Sequence, residues 1–194
     1  MATRMFRNMR FGLLLLGLGL SPDLAAADDF KVCGNATGDE AISACNRAIG
    51  SNRFTGDDLA KLLTNRGVEL KRKGNLDAAI ADYSGAIAIN PKDMFSFNNR
   101  GNALRDKGDL QGAIADYTEA IRLDPDYAAA YVNRGRVYES QDNLERARAD
   151  FIAVLALPDK YPNSRGGKDL ARGRLKAMME KRSDMAGRPG ASRL

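Results

Sequence analysis

The chain has 194 residues, 44% of them hydrophobic and 28% charged, with a net charge of +5, which is room for one ordinary domain of globular composition. It contains no histidine and no tryptophan. The missing histidine excludes His-based acid–base catalysis, Ser-His-Asp and Cys-His systems and every His-containing zinc site, and so small a basic excess does not point to nucleic acid.

The chain opens with Arg4, Arg7 and Arg10, followed by a ten-residue apolar run from Phe11 to Leu20 and then Pro22. Ala25, Ala26 and Ala27 place small residues at the −3 and −1 positions of a cleavage site. Together these predict a secretory signal peptide over residues 1–27, cut between Ala27 and Asp28. A membrane-spanning helix needs about 20 apolar residues, and this run is half that. Lipid attachment is not expected at Cys33, because Phe30, Lys31 and Val32 precede it without a small residue. No twin-arginine pattern is present. The expected location is the periplasm or the exterior. Cleavage would leave 27 basic and 24 acidic residues, net +3, and no second long apolar run.

Two cysteines remain, Cys33 and Cys45. In an oxidising compartment an isolated pair this close reads as a disulfide. A redox or metal pair would need C-x-x-C spacing or further ligands, and neither is present. No metal and no cofactor are expected.

A repeat dominates the middle of the chain. Shifting the sequence by 34 residues aligns Ala60–Pro91 with Met94–Pro125, identical at 15 of 32 positions. A third copy starts at Ala128 and keeps Asn133, Arg134, Gly135, Leu144, Ala147 and Asp150. The boundaries read as 60–93, 94–127 and 128–159. Apolar residues recur at three- and four-residue steps, as in Ala113, Ile114, Tyr117, Ala120 and Ile121, so each copy is predicted to be two helices. Gly74, Gly108 and Asp142 mark the turn between them, where a left-handed backbone is expected. Pro91 and Pro125 end the second helices. Gly67, Gly101 and Gly135 sit midway along the first helices, where Gly costs about 1 kcal/mol against Ala. Their recurrence predicts close approach of a neighbouring backbone. Ala79, Ala113 and Ala147 are the matching small residues on the second helices, and Tyr83, Tyr117 and Phe151 fill the wider part of the interface. Each of Arg66, Arg100 and Arg134 is expected to pair with the Asp of its own repeat: Asp82, Asp116 or Asp150.

A 34-residue helix–turn–helix with these markers resembles the tetratricopeptide repeat (TPR). Gly67, Ala79, Tyr83, Ala86 and Pro91 match the family pattern, as do Gly101, Ala113, Tyr117, Ala120 and Pro125. Phe97 and Tyr131 match its early aromatic position, where the first copy has Leu63. Arg66, Arg100 and Arg134 depart from it, standing where an apolar residue is usual. Pro158 comes one residue early, so the last copy is expected to end differently. The flanks read as caps. Residues 28–58 form an N-terminal capping segment holding Cys33 and Cys45. In its helix Asp39–Ile49, Ala41, Cys45 and Ala48 parallel Ala79, Tyr83 and Ala86. Residues 160–182 form a C-terminal capping helix, with Leu170, Leu175 and Met178 or Met179 inward. Residues 183–194 are expected to be a disordered basic tail.

The resemblance implies an all-α fold: a right-handed α-solenoid of helical hairpins with capping helices at both ends, whose first helices line a concave groove. Mapping the family's groove positions gives Lys61, Thr64, Asn65, Val68, Lys71 and Arg72 from the first copy. The second gives Phe95, Asn98, Asn99, Asn102, Arg105 and Asp106, and the third Ala129, Val132, Asn133, Arg136, Glu139 and Ser140. Asn can offer both a donor and an acceptor to a peptide backbone, and Lys and Arg favour carboxylates. The implied function is a protein-interaction adaptor or scaffold for a peptide or partner protein, not an enzyme. Some family members grip a partner's C-terminal carboxylate with Lys and Asn at set places. Here those places hold Thr64, Val68, Ala129 and Asn133, with Asn99 alone retained, so that clamp is not expected. Two alternatives stand beside this reading. From Lys160 onward there are ten basic and three acidic residues, which suits docking on an anionic envelope surface. A hydrolase using carboxylates alone would be the other, but no nucleophile motif, phosphate loop or metal spacing supports it.

Overall fold

A computed structural model describes residues 22–186. The start of the expected leader (1–21) and the end of the expected tail (187–194) lie outside the described residues. Nine helices and no strand occur among the described residues: α1 Pro22–Asn35, α2 Gly38–Gly50, α3 Gly56–Arg72, α4 Leu76–Ile89, α5 Met94–Lys107, α6 Leu110–Leu123, α7 Ala128–Ser140, α8 Leu144–Ala156 and α9 Ser164–Ala186. They pack as successive hairpins, α1/α2, α3/α4, α5/α6 and α7/α8, each stacked on the next, with α9 closing the stack against α7 and α8. The predicted repeats therefore fall on three of the hairpins.

The local reasons are visible residue by residue. Gly74 and Gly108 take φ of 82° and 94°, and Asp142 takes 56°, so the turns are left-handed as the sequence requires. Asp93, Asp109 and Asn143 cap α5, α6 and α8 by accepting from backbone N–H groups of the first turn, worth about 1 kcal/mol each. Ala79, Tyr83, Ala113, Tyr117, Ala147 and Phe151 are fully buried. One expectation about the glycines is corrected. A Cβ on Gly67 or Gly101 would lie 2.8 Å from the ring of Tyr83 or Tyr117, and one on Gly135 3.0 Å from Phe151. The close approach is the flat aromatic of the same repeat's second helix, not a neighbouring backbone.

The arginines that depart from the family pattern form a ladder. Arg66, Arg100 and Arg134 each donate twice to Asp82, Asp116 and Asp150, at 2.7–3.0 Å. Their third nitrogen reaches back to the preceding second helix, onto Asn46, Ser84 and Thr118 at 2.8–3.1 Å. Arg100 and Arg134 also stack over Phe97 and Tyr131, 5.7 and 5.8 Å from the ring centres. Each guanidinium thus joins three helices. Its hydrogen bond to the Asp is the largest influence raising its pKa, outweighing burial.

The caps differ from their predicted outlines. The N-terminal one is a full hairpin. Helix α1 was not foreseen and runs through the expected cleavage point, with Ala26 buried on one side of it and Cys33 on the other. Cys33 and Cys45 are joined, Cα atoms 4.8 Å apart, in a cluster with Ala44, Ala48 and Leu62. At the other end α9 is 23 residues long and continues through Ser183–Ala186, so the first part of the expected tail is helix. Leu170, Leu175 and Met178 pack inward with Ala171, while Met179 is 67% exposed. Buried Ser164 and Ala171 stand 34 residues after buried Ala130 and Val137, which puts α9 in the place of a first helix. Where Gly135 faces its aromatic ring, α9 carries exposed Asp169, with exposed Arg165 and Arg172 one turn to either side. That polar face ends the stack, as terminal repeats require.

Candidate functional site

First helices approach one another across repeats, α3 with α5 and α5 with α7, whereas the second helices α4, α6 and α8 do not. The first helices are therefore on the inner side of the curve. Three concavities run along their N-terminal ends. The first, about 330 Å³, is lined by Asp57, Ala60, Lys61, Thr64, Asn65 and Phe95 among others. The second, about 160 Å³, lies between Phe95, Tyr127, Tyr161 and Asn163. The third, about 480 Å³, is lined by Ala129, Val132, Asn133, Asn163, Gly167 and Leu170 among others. Phe95 is the wall shared by the first two. Ala129, Pro162 and Asn163 are shared by the second and third.

Phe95 is 42% exposed. Its ring meets those of Tyr127 and Tyr161 edge-on, at 5.3 and 6.0 Å between centres, and those two meet each other at 5.3 Å. Tyr161 is held by donating its hydroxyl to Asp124, which Lys160 also contacts at 3.0 Å. Burial opposes charge on Asp124, but the bonds from Tyr161 and Lys160 outweigh it and keep the carboxyl below its ordinary range. Burial, with Tyr161 and Asp93 nearby, pushes the Tyr127 phenol up to about 12. Both tyrosines are neutral at physiological pH, so the cluster is an uncharged apolar anchor with a fixed base.

The predicted groove residues divide into two groups. Lys61, Thr64, Asn65, Phe95, Ala129, Val132 and Asn133 line the concavities. Most of the other polar ones are bonded to neighbouring side chains of the protein itself. Lys71 and Arg105 share Asp106, each at 2.8 Å. Burial opposes charge on Asp106, yet the bonds from Lys71 and then Arg105 hold its carboxyl below the usual range. Arg72 donates to Glu69 at 3.0 Å. Asn98 is buried and accepts from Asn133 at 2.9 Å, and Asn102 accepts from the hydroxyl of Tyr117 at 2.9 Å. Thr64 bonds Ser96 at 2.9 Å. Lys61 contacts Asp58 at 3.0 Å on the surface. Arg136 is exposed and Asn99 half-buried. Tyr127, Tyr161 and Asn163 were not among the predicted residues. The repeat register held the signal, since Tyr161 follows Tyr127, and Asn163 follows Ala129, by 34 residues.

No cluster of three or more His, Cys, Asp or Glu able to hold a metal occurs among the described residues. No described helix is long and apolar enough to cross a membrane.

Stacked helical hairpins with a continuous trough along their inner ends define an all-α repeat solenoid. The family model "Tetratricopeptide repeat" matches residues 60–93 and 128–161, and the model "TPR repeat" matches 101–142. Among solved structures, the chain is 30% identical to the second TPR of Spaghetti (RPAP3), bound there to the HSP90 peptide SRMEEVD. That match covers 52% of this chain and 93% of that one, with a TM-score of 0.50. A tetratricopeptide repeat protein from Parabacteroides merdae shares the fold at 23% identity and TM-score 0.63, over 81% of this chain and 62% of that one. So does YrrB, at 18% and 0.58, over 80% and 71%. No curated protein matches the sequence. The chain belongs to the tetratricopeptide repeat family.

Proposed function

We propose that this protein is an interaction adaptor that holds an extended peptide along the trough, anchored on Phe95, and that it works outside the cytoplasm. The observation that carries the first part is the sharing of Phe95 between two concavities, which makes an exposed, rigidly backed ring the centre of a path three repeats long. Buried aromatic anchors in pockets dominate peptide and protein recognition. The Spaghetti domain, similar to this chain at 30% identity, holds a bound peptide, and this supports the class of ligand.

The ligand's chemistry should differ from that acidic peptide. The clamp positions here hold Thr64, Val68, Ala129 and Asn133. Thr64 is bonded to Ser96, Asn133 to Asn98, and Lys71 and Arg105 share Asp106. A groove whose cations are mostly engaged by its own carboxylates, Lys61 with Asp58, Arg72 with Glu69, and Lys71 and Arg105 with Asp106, selects less strongly for carboxylates, so an uncharged segment with an aromatic or large aliphatic side chain is the better fit. The export part rests on the leader-like residues 1–27 and on the Cys33–Cys45 bridge, which suits an oxidising compartment.

The test is selection of random twelve-residue peptides on the purified protein, followed by calorimetry with Phe95→Ala. Selected peptides should be poor in Asp and Glu, and the variant should weaken them by about tenfold or more. Equal affinity for wild type and variant sinks the groove reading. The export reading fails if the protein recovered from cells retains Met1 and fractionates with the cytoplasm.

A further inference from the structure

A second binding surface lies away from the trough. Between α8 and the second half of α9 is an open groove of about 550 Å³, lined by Leu144, Arg148, Ile152, Leu175, Met178 and Met179 among others. Its floor and walls include large apolar side chains left in solvent: Ile152 is 49% and Met179 67% exposed. The groove arises because α9 has 23 residues where α5 and α7 have 14 and 13. Its inward residues Leu175 and Met178 continue past the turn at which a first helix normally stops, and meet the stripe Leu144, Arg148, Ile152 at four-residue steps on α8. Two helices meeting at an angle with apolar stripes on their facing sides make a seat for a third helix. Methionine walls adapt to the shape of what enters.

Charge names the kind of occupant. Helix α9 carries seven basic and three acidic residues. At the rim, Arg148 and Lys181 are exposed and make no ion pair among the described residues, while Glu145 is the acidic member. We propose that this groove receives an amphipathic helix from a partner protein, its apolar side seated on Ile152, Met178 and Met179 and its flanks acidic. A second copy of α9 brings a like charge to the same rim. Continuation of the stack by another hairpin is blocked by exposed Arg165, Asp169 and Arg172 on the face a second helix would need. The proposal is independent of the trough, because no residue lines both sites.

The test uses two stapled fourteen-residue helices with the same leucine face, one flanked by glutamates and one by lysines, titrated by fluorescence anisotropy against the purified protein. The glutamate helix should bind about tenfold more tightly than its lysine twin, and Ile152→Glu and Met179→Glu should each weaken it by about tenfold. Both substitutions are at exposed positions, and an unchanged circular-dichroism melt shows that the variants are folded. No saturable binding of the glutamate helix, equal binding of the two helices, or indifference to both variants overturns the proposal. So does salt-sensitive binding to phosphatidylglycerol vesicles that Met179→Glu abolishes, which would make the groove a membrane contact. A dimer in sedimentation equilibrium that Ile152→Glu dissociates would assign it to a second copy and overturn it equally. Tighter binding by a chain ended after Ala186 would mean that residues 187–194 compete for the groove, again against the proposal.

Discussion

Tyr83 and Tyr117 occupy the same place in successive repeats, both fully buried, but their hydroxyls meet different fates. Tyr117 donates to Asn102 at 2.9 Å. The residue 34 positions earlier is Val68, and the Tyr83 hydroxyl has no hydrogen-bond partner among the described residues. Burial, followed by the nearby Asp82 and Glu69, drives the Tyr83 phenol far above its ordinary range, so it stays protonated and polar at any working pH. A buried hydroxyl left unsatisfied costs about 1–3 kcal/mol, whereas a made hydrogen bond contributes about 0.5–1.5 kcal/mol. Tyr83→Phe should therefore stabilise the protein by about 1 kcal/mol, and Tyr117→Phe should destabilise it by a similar amount. For a chain of this length each is a shift of about 2–4 °C in Tm, in opposite directions. Thermal and urea unfolding followed by circular dichroism reads both. Val68→Asn supplies the partner that the next repeat has, so its effect should depend on the hydroxyl: a double-mutant cycle with Tyr83→Phe should give a coupling of about 1 kcal/mol. If Tyr83→Phe destabilises as much as Tyr117→Phe, or the cycle shows no coupling, the account of the two sites is wrong.

Other outcomes follow from the same geometry. Gly101→Ala pushes a methyl to 2.8 Å from the Tyr117 ring and should cost about 1–3 kcal/mol. Gly173→Ala, with nothing within 4 Å on exposed α9, should instead stabilise by up to about 1 kcal/mol, and equilibrium unfolding separates the two. Reduction of Cys33–Cys45, or its replacement by Ala at both positions, should lower stability by about 3 kcal/mol, with hydrogen exchange in α1 rising most. Asp106 is charged more easily folded than unfolded, because Lys71 and Arg105 hold it low. Its contribution is thus complete above the unfolded value near ~3.9 and fades as pH falls through the lower folded value. Asp106→Asn should flatten that part of the acid limb in stability measured from pH 6 down to pH 2, and an unchanged limb counts against the shared pair.

Much of the fold was readable because a single 34-residue period places small, aromatic and turn residues at fixed intervals, and a hairpin has few ways to bury them. Met94–Pro125 could be folded on paper from Gly101, Gly108, Ala113 and Tyr117. Helix α1 was missed because its face of Ala26, Phe30 and Cys33 is cut in two by the expected cleavage point, so neither half looked like a helix. The trough was harder. Positions transferred from the family marked Lys71, Asn98 and Arg105 correctly as first-helix residues. What occupies them is settled by contacts one repeat away: Lys71 with Asp106 and Asn98 with Asn133 are each separated by 35 residues. Such contacts depend on the rise and turn between neighbouring hairpins, which no single helix encodes. The aromatic centre was within reach, since the register that gives Ala128 also runs on to Tyr161 and Asn163, but the copy was closed at Asp159 by its early proline.

The arginine ladder has a mechanical consequence. Each of Arg66, Arg100 and Arg134 ties its own hairpin to the second helix before it, so one hairpin cannot slide or twist on its neighbour without drawing a guanidinium off a carboxylate that is all but shut away from water. Under force the array should hold its pitch and then yield abruptly, like a zip fastened at regular teeth, not uncoil a turn at a time.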